Sequence, residues 1–210
     1  MSIINKCISN YPACLAVAVL LLLLLLAGPA SISAHPHVFL ETEMQVELDE
    51  HGIKGVWQEW TFDEYQSAWI INQYNLDKTG SISDSELERL YNETFKNLKH
   101  HDFFTWILVD GEKIPATEIT DFSVTVQDDL AIYSFFVPFE LEINSDNLEV
   151  FILVYDESYF CHVFFPPEEI GFKGNTSSWV IDYTTQKKSN LTFYFGMITP
   201  EALKITLKPL

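Results

Sequence analysis

Between Val38 and Leu48 the chain alternates without a break. Val38, Leu40, Met44, Val46 and Leu48 fall on one side, and Phe39, Glu41, Glu43, Gln45 and Glu47 on the other. A repeat of two over this length fits a strand with one buried face and argues against a helix, whose apolar positions return every three to four residues. His37 is in phase with Phe39 and Glu41, away from the core side. His51-Gly52 reads as a turn, and residues 53–61 return as the partner of a hairpin.

Helical signals follow. Thr61-Phe62-Asp63-Glu64 fits a capping box in which Thr61 accepts an amide hydrogen bond and Glu64 reaches back. The spacing predicts a helix over about 63–74, with Tyr65, Ala68, Trp69 and Asn72 along one stripe. A second is predicted over about 84–98, with Leu87, Leu90, Tyr91, Phe95 and Leu98 at helical spacing. After His100-His101 the pattern is strand-like again, at 103–109, 117–127, 130–140, 148–155, 159–165, 178–184, 190–196 and 204–208. Turn residues such as Asp110-Gly111, Pro166-Pro167 and Gly171 to Asn175 punctuate these runs. Many short strands at this spacing predict a mainly β protein, an antiparallel sandwich or open barrel. The helical pair at about 62–98 is an insertion between strands 2 and 3.

The first 34 residues read as a secretory leader. Lys6 precedes an apolar run over 15–27, and Gly28-Pro29-Ala30-Ser31-Ile32-Ser33-Ala34 forms a small-residue exit. The run is shorter than the roughly 20 residues a membrane-spanning helix needs. Cleavage between Ala30 and Ala34 is expected, and a cut after Ala34 makes His35 the first residue of an exported, single-domain protein covering 35–210. That protein carries eleven basic residues against thirty acidic ones, a net charge of −19. Its field repels nucleic acid and anionic lipid. Cys7 and Cys14 leave with the leader, so Cys161 has no partner for an internal disulfide. Sixteen Phe, five Trp and the eight Tyr that lie beyond Tyr11 of the leader supply the core instead.

Two stretches offer metal ligands. Asn75-Leu76-Asp77-Lys78-Thr79-Gly80-Ser81-Ile82-Ser83-Asp84-Ser85-Glu86 lies between the helices. It matches a twelve-residue EF-hand loop, with Asn75, Asp77, Thr79, Ser81 (carbonyl), Ser83 and Glu86 at the ligand positions and Gly80 at the sharp turn. Only Asp77 and Glu86 bring charge to those positions, so any Ca²⁺ affinity is expected to be weak. The second stretch is His35-Pro36-His37, where the freed α-amine and two imidazoles fall within three residues. Pro36 has no N–H to lose, so square-planar amide ligation at its nitrogen is excluded. Chelation by the His35 amine and ring with His37 remains, a donor set suited to Cu, Ni, Co or Zn.

Other chemistry-bearing residues have plainer readings. His100-His101-Asp102 closes a helix, where histidine complements the dipole. Alternation sends Cys161 and His162 to opposite faces, with Cys161 as a small apolar packer. The sequence offers no phosphate loop, nucleophile elbow or HExxH motif, and no enzymatic role is expected.

Taken in order, His35-Pro36-His37-Val38-Phe39, Trp60-Thr61-Phe62-Asp63-Glu64, the EF-like loop, and Tyr155-Asp156-Glu157-Ser158-Tyr159-Phe160 resemble the DUF1007 family. These are bacterial exported proteins described as periplasmic components of an uncharacterised ABC-type transport system. The resemblance implies a periplasmic protein working beside a membrane metal permease or ABC-type transporter. It points to His35, His37, Asp63, Glu64, Tyr155, Asp156 and Tyr159, with Asp156 completing a site with the imidazoles or orienting one of them. The expected function is therefore capture or hand-over of a divalent transition metal. The alternative is a non-catalytic module that docks on a transporter and uses only a structural ion.

Overall fold

The computed structural model describes residues 15–21, 36–77, 82–143 and 148–210. Its contacts divide the chain into two compact units, Met1–Ala34 and His35–Leu210. Within the first, residues 15–21 are helical, and no described helix is long and apolar enough to cross a membrane. Residues 28–34, read from the sequence as the exit of a leader, lie outside the described residues.

The second unit is built from two sheets. The first has the order β5(Thr120–Gln127)-β6(Leu130–Glu142)-β2(Gly52–Phe62)-β1(Val38–Leu48)-β8(Cys161–Phe164), with β9(Ile170–Gly174) also pairing β1. The second has the order β10(Trp179–Lys187)-β11(Glu201–Pro209)-β7(Leu148–Val154)-β3(Thr105–Val109)-β4(Glu112–Pro115). Val46, Val56 and Val137 of the first sheet and Ile107, Ile152 and Ile205 of the second share one buried cluster. This is the sandwich that the strand pattern predicts.

The alternation of β1 is fully expressed: Val38, Leu40, Met44, Val46 and Leu48 are buried, and Thr42 joins them. Gln58 crosses the core as a polar tie. Its amide donates to Thr105 Oγ1 at 2.8 Å, and its carbonyl oxygen accepts from Trp60 Nε1 at 2.9 Å. Both sheets are thereby joined through groups that are costly to leave unpaired once buried.

The expectation of an antiparallel sheet needs one correction. β8 pairs Val38 to Glu41 and β9 pairs Met44 to Leu48, both parallel to β1 and on its same edge. The chain reaches β8 from β7 in the other sheet, a crossover that need not reverse direction as a hairpin does. Pro166 and Pro167 separate the two short strands, and the stretch from Gly171 read as a turn is part of β9. β4 also lacks a sequence counterpart. The strand expected at 190–196 is instead a compact turn, because Tyr194, Phe195 and Gly196 all have left-handed φ, which strand pairing does not accept.

The helical insertion has the predicted place and different details. α1(Glu64–Gln73) is capped by Asp63, whose side chain accepts from the N–H groups of Tyr65 and Gln66, both at 2.9 Å. Thr61 is still paired in the sheet and cannot cap. α1 buries Ser67 and Ile70, while Tyr65 is 92% exposed, so the predicted stripe faces outward. Ser67 Oγ donates to the Phe62 carbonyl and accepts from Ala131 N–H. α2(Asp84–Leu90) passes into a π-helical turn over Tyr91–Phe95 and 3-10 turns over Lys96–Phe104. Asp102, Phe103 and Phe104 have left-handed φ, so His100 and His101 sit on a kinked segment, not at a regular helix end.

Candidate functional site

The end of the sandwich where β1 begins brings together His37, Asp63, Asp156 and Tyr159. His37 N–H and Val38 N–H both donate to the Phe160 carbonyl, at 2.9 and 3.2 Å. Phe39 and Asp63 are joined twice: Asp63 N–H donates to the Phe39 carbonyl at 2.9 Å, and Phe39 N–H donates to Asp63 Oδ2 at 2.8 Å. Asp63 therefore caps α1 and fixes the start of β1 with one carboxylate.

Asp156 does comparable work in the β7–β8 turn. It is 6% exposed. Oδ1 accepts from Ser158 N–H at 2.9 Å, Oδ2 accepts from Cys161 N–H at 3.0 Å, and the Ser158 hydroxyl lies 2.7 and 2.8 Å from the two oxygens. Tyr159 takes a left-handed φ of 57° inside this turn, held by its N–H on the Asp156 carbonyl at 2.9 Å. Asp156 thus shapes the turn that presents the Phe160 carbonyl to His37. Tyr155 is buried and stacks on Trp106 at 5.0 Å.

Phe39 is exposed on the outer face of β1, and His37, the residue just before the strand, is exposed as well. The parallel register sets His162 beside Phe39, with their rings 5.8 Å apart. The His37 ring lies 5.0 Å from Phe160 and the His162 ring 5.8 Å from Tyr159. His162 also lines a shallow outer groove with Glu41, Asp63 and Glu64. Sequence reading gave His162 no role. Its alternation is legible, but parallel pairing with β1, which brings it to the His37 side, has no local signature. Cys161 points the other way, packs against the core and is a free thiol. Burial, followed by the nearby Asp156 and Asp63 charges, pushes its pKa up to about 12, so it is not a ready thiolate ligand.

His35 lies outside the described residues. Among the described residues no three His, Cys, Asp or Glu side chains converge into a metal-binding group. At the helical insertion, Thr79 and Ser81 are also outside the described residues. Asn75 has a left-handed φ of 50°. Ser83 caps α2, accepting from Glu86 N–H at 3.3 Å and donating to Glu86 Oε2 at 2.8 Å. The helices are tied by Arg89 Nη2 donating to the Gln73 carbonyl at 2.8 Å and by Tyr74 Oη donating to Glu93 Oε2 at 3.0 Å.

Beneath α1, behind this outer face, lies a cleft of about 390 Å³. The outer groove and this cleft share the wall formed by Leu40 and Phe62.

A family model described as "Protein of unknown function (DUF1007)" matches residues 20–192, and the chain belongs to that family. A relative from Spirochaeta aurantia, described as an uncharacterized 15.5 kDa protein in the trpE 3' region, is 23% identical over 140 residues. The match covers 67% of this chain and 99% of the relative.

Proposed function

We propose that this DUF1007 protein is exported to the periplasm and, without catalysing a reaction, binds a divalent transition-metal ion at the start of β1, serving a membrane metal permease or ABC-type transporter. The observation that carries this reading is the anchoring of His37. Its N–H is held by the Phe160 carbonyl, and it stands exposed immediately before β1, whose Phe39 pairs with His162. In the sequence His35 stands two residues earlier, with the α-amine that cleavage after Ala34 frees. A site of imidazole and amine nitrogens favours Ni, Co, Cu or Zn over Mg or Ca. Asp63 and Asp156 support the site by spending their oxygens on the backbone that positions β1 and its neighbour, a role comparable to the outer groups that orient metal ligands.

The test is a calorimetric titration of exported protein with Ni²⁺, Co²⁺, Cu²⁺ and Zn²⁺, together with elemental analysis of the protein as purified. One ion per chain is expected, with affinity reduced at least ten-fold in His37→Ala and to a smaller degree in His162→Ala. Unchanged affinity in His37→Ala contradicts the reading.

One observation favours a second reading, docking without transition-metal capture. Phe39, Phe160 and Phe164 are each about half exposed and Phe195 is 92% exposed, the kind of apolar surface that interaction sites use. On that reading a structural Ca²⁺ in the 75–86 loop is the only ion. A carrier releases its ion to a chelator while staying folded, whereas a structural ion resists removal until the protein unfolds.

A further inference from the structure

The edges of the two sheets are not alike. β5 is interrupted by a bulge between Thr120 and Ser123, where Asp121 has a left-handed φ of 55°. β4 is four residues long and ends in Pro115. β8 and β9, on the edge they share, are split by Pro166 and Pro167. Bulges, prolines and short length are the devices by which sheet edges resist pairing with another chain. β10, the remaining edge, has none of them. It pairs β11 over all nine residues without a register break and contains neither proline nor glycine. Flanking bonds show which of its backbone groups are used. Lys188 N–H donates to the Pro200 carbonyl at 2.9 Å, and Leu210 N–H donates to the Ser178 carbonyl at 3.1 Å. Even-numbered residues therefore turn their N–H and C=O groups to β11, and Ile181, Tyr183 and Thr185 turn theirs to the free side. Among the described residues no backbone group pairs with these three, and the Thr185 carbonyl takes only the Thr184 hydroxyl, at 3.4 Å. Two groups close the free run: Trp179 N–H is given to the Thr176 carbonyl, and the Lys187 carbonyl accepts from Ser189 N–H.

We infer that β10 is a self-association edge: two copies of this chain pair β10 to β10, antiparallel about a two-fold axis at Tyr183, and join their five-stranded sheets into one. In that register Tyr183 stands opposite its own copy and Ile181 opposite Thr185, so the N–H and C=O groups left free by all three find partners. Trp179 stands opposite Lys187. Their unbonded groups, the Trp179 carbonyl and the Lys187 N–H, face each other, and so do the two groups already bonded within the chain. The edge is thus its own complement, as an isologous contact requires, and that match argues for a second copy over a foreign strand. The side chains agree. Asp182 falls opposite the Thr184 hydroxyl and not opposite another acid, which matters for a chain of net charge −18. The Tyr183 rings, each 45% exposed in the single chain, meet across the axis. A contact confined to one strand is small, so the dimer forms reversibly with concentration. This inference does not depend on the metal reading.

Sedimentation velocity of the purified protein over a wide range of concentration should show a monomer–dimer equilibrium and no larger species, since the pairing consumes the edge. Thr185→Pro removes an outward N–H and none that β11 uses, a position where an edge strand tolerates proline. It should keep the circular dichroism of the wild type and weaken dimerisation at least ten-fold. Tyr183→Cys places two thiols on the axis, where the Cα atoms of a hydrogen-bonded antiparallel pair lie about 5.5 Å apart, within the span of a disulfide. Mild oxidation should turn this variant into a covalent dimer. Thr185→Cys, whose residue stands opposite Ile181 of the other copy, should stay uncross-linked under the same treatment. The native Cys161 packs against the core and does not compete. Should Thr185→Pro fail to fold, the pair of cysteine variants decides the matter alone. A wild-type protein that stays monomeric at every concentration, a dimer that a folded Thr185→Pro leaves intact, or equal cross-linking of the Tyr183→Cys and Thr185→Cys variants overturns the inference.

Discussion

Two carboxylates near the start of β1, Asp63 and Asp156, hold backbone N–H groups in place of water and so fix the strand start. Asp63 accepts three such bonds, two from the first turn of α1 and one from Phe39. Asp63→Ala removes a cap and a strand tie together and should cost about 2 kcal/mol in urea unfolding, with Asp63→Asn retaining most of the cap. Cys161 gives a prediction with a defined sign. Its folded pKa of about 12 lies above the ordinary 9.0, so its contribution to stability is fully present below pH 9 and is lost as pH rises from there towards 12. Urea unfolding at pH 8 and pH 10.5 should show a steeper loss in wild type than in Cys161→Ala, and the native thiol should resist iodoacetamide at pH 8. Cys161 as an inward packer was legible from alternation. Asp63 as the cap was missed by two positions, because Thr61 carries a capping residue's chemistry while still bound to Glu41 and Ile132 across the sheet.

At the scale of elements, period-two runs were the most legible signal, and β1, β2 and β6 follow them closely. Elements too short to show a period were not legible: β4 spans only Glu112–Pro115, and β9 contains two glycines within Ile170–Gly174. Gly174 is required there, since its φ is +80° and a Cβ would clash with the Leu48 carbonyl oxygen. A glycine-rich run thus reads as a turn although a neighbouring strand pairs it. The stripe on α1 misled for another reason. Its buried face holds Ser67, hydrogen-bonded at both lone-pair and proton, while large aromatics lie outside. For the 75–86 loop, the Ser83–Glu86 capping contact means that calcium must draw Glu86 from its cap. Affinity in the range of about 10⁻⁴–10⁻³ M is predicted, with the binding heat lost in Glu86→Gln. A submicromolar site, or one indifferent to Glu86, contradicts this.

For the whole molecule, the sandwich followed from strand number and spacing, but the direction of β8 followed from which sheet the chain had just left. That single crossover puts the 155–162 turn against the start of β1, joining segments more than a hundred residues apart that the sequence could only set side by side as motifs. It also explains why Asp156 supports the start of β1 through Phe160 and why His162 enters the neighbourhood of His37. The account rests on nitrogen donors at that strand start, and one measurement addresses them directly. Exported protein whose N-terminus is confirmed as His35 by intact mass should be titrated with Cu²⁺, Ni²⁺, Co²⁺ and Zn²⁺, beside a version that retains one extra alanine before His35. The extra residue leaves both rings present and removes the amine chelate, and binding should weaken further as pH falls because the donors must lose protons to coordinate. The account predicts that the extended protein binds at least ten-fold more weakly and behaves like His35→Ala. Equal affinity for all four ions in the extended and native forms would contradict it.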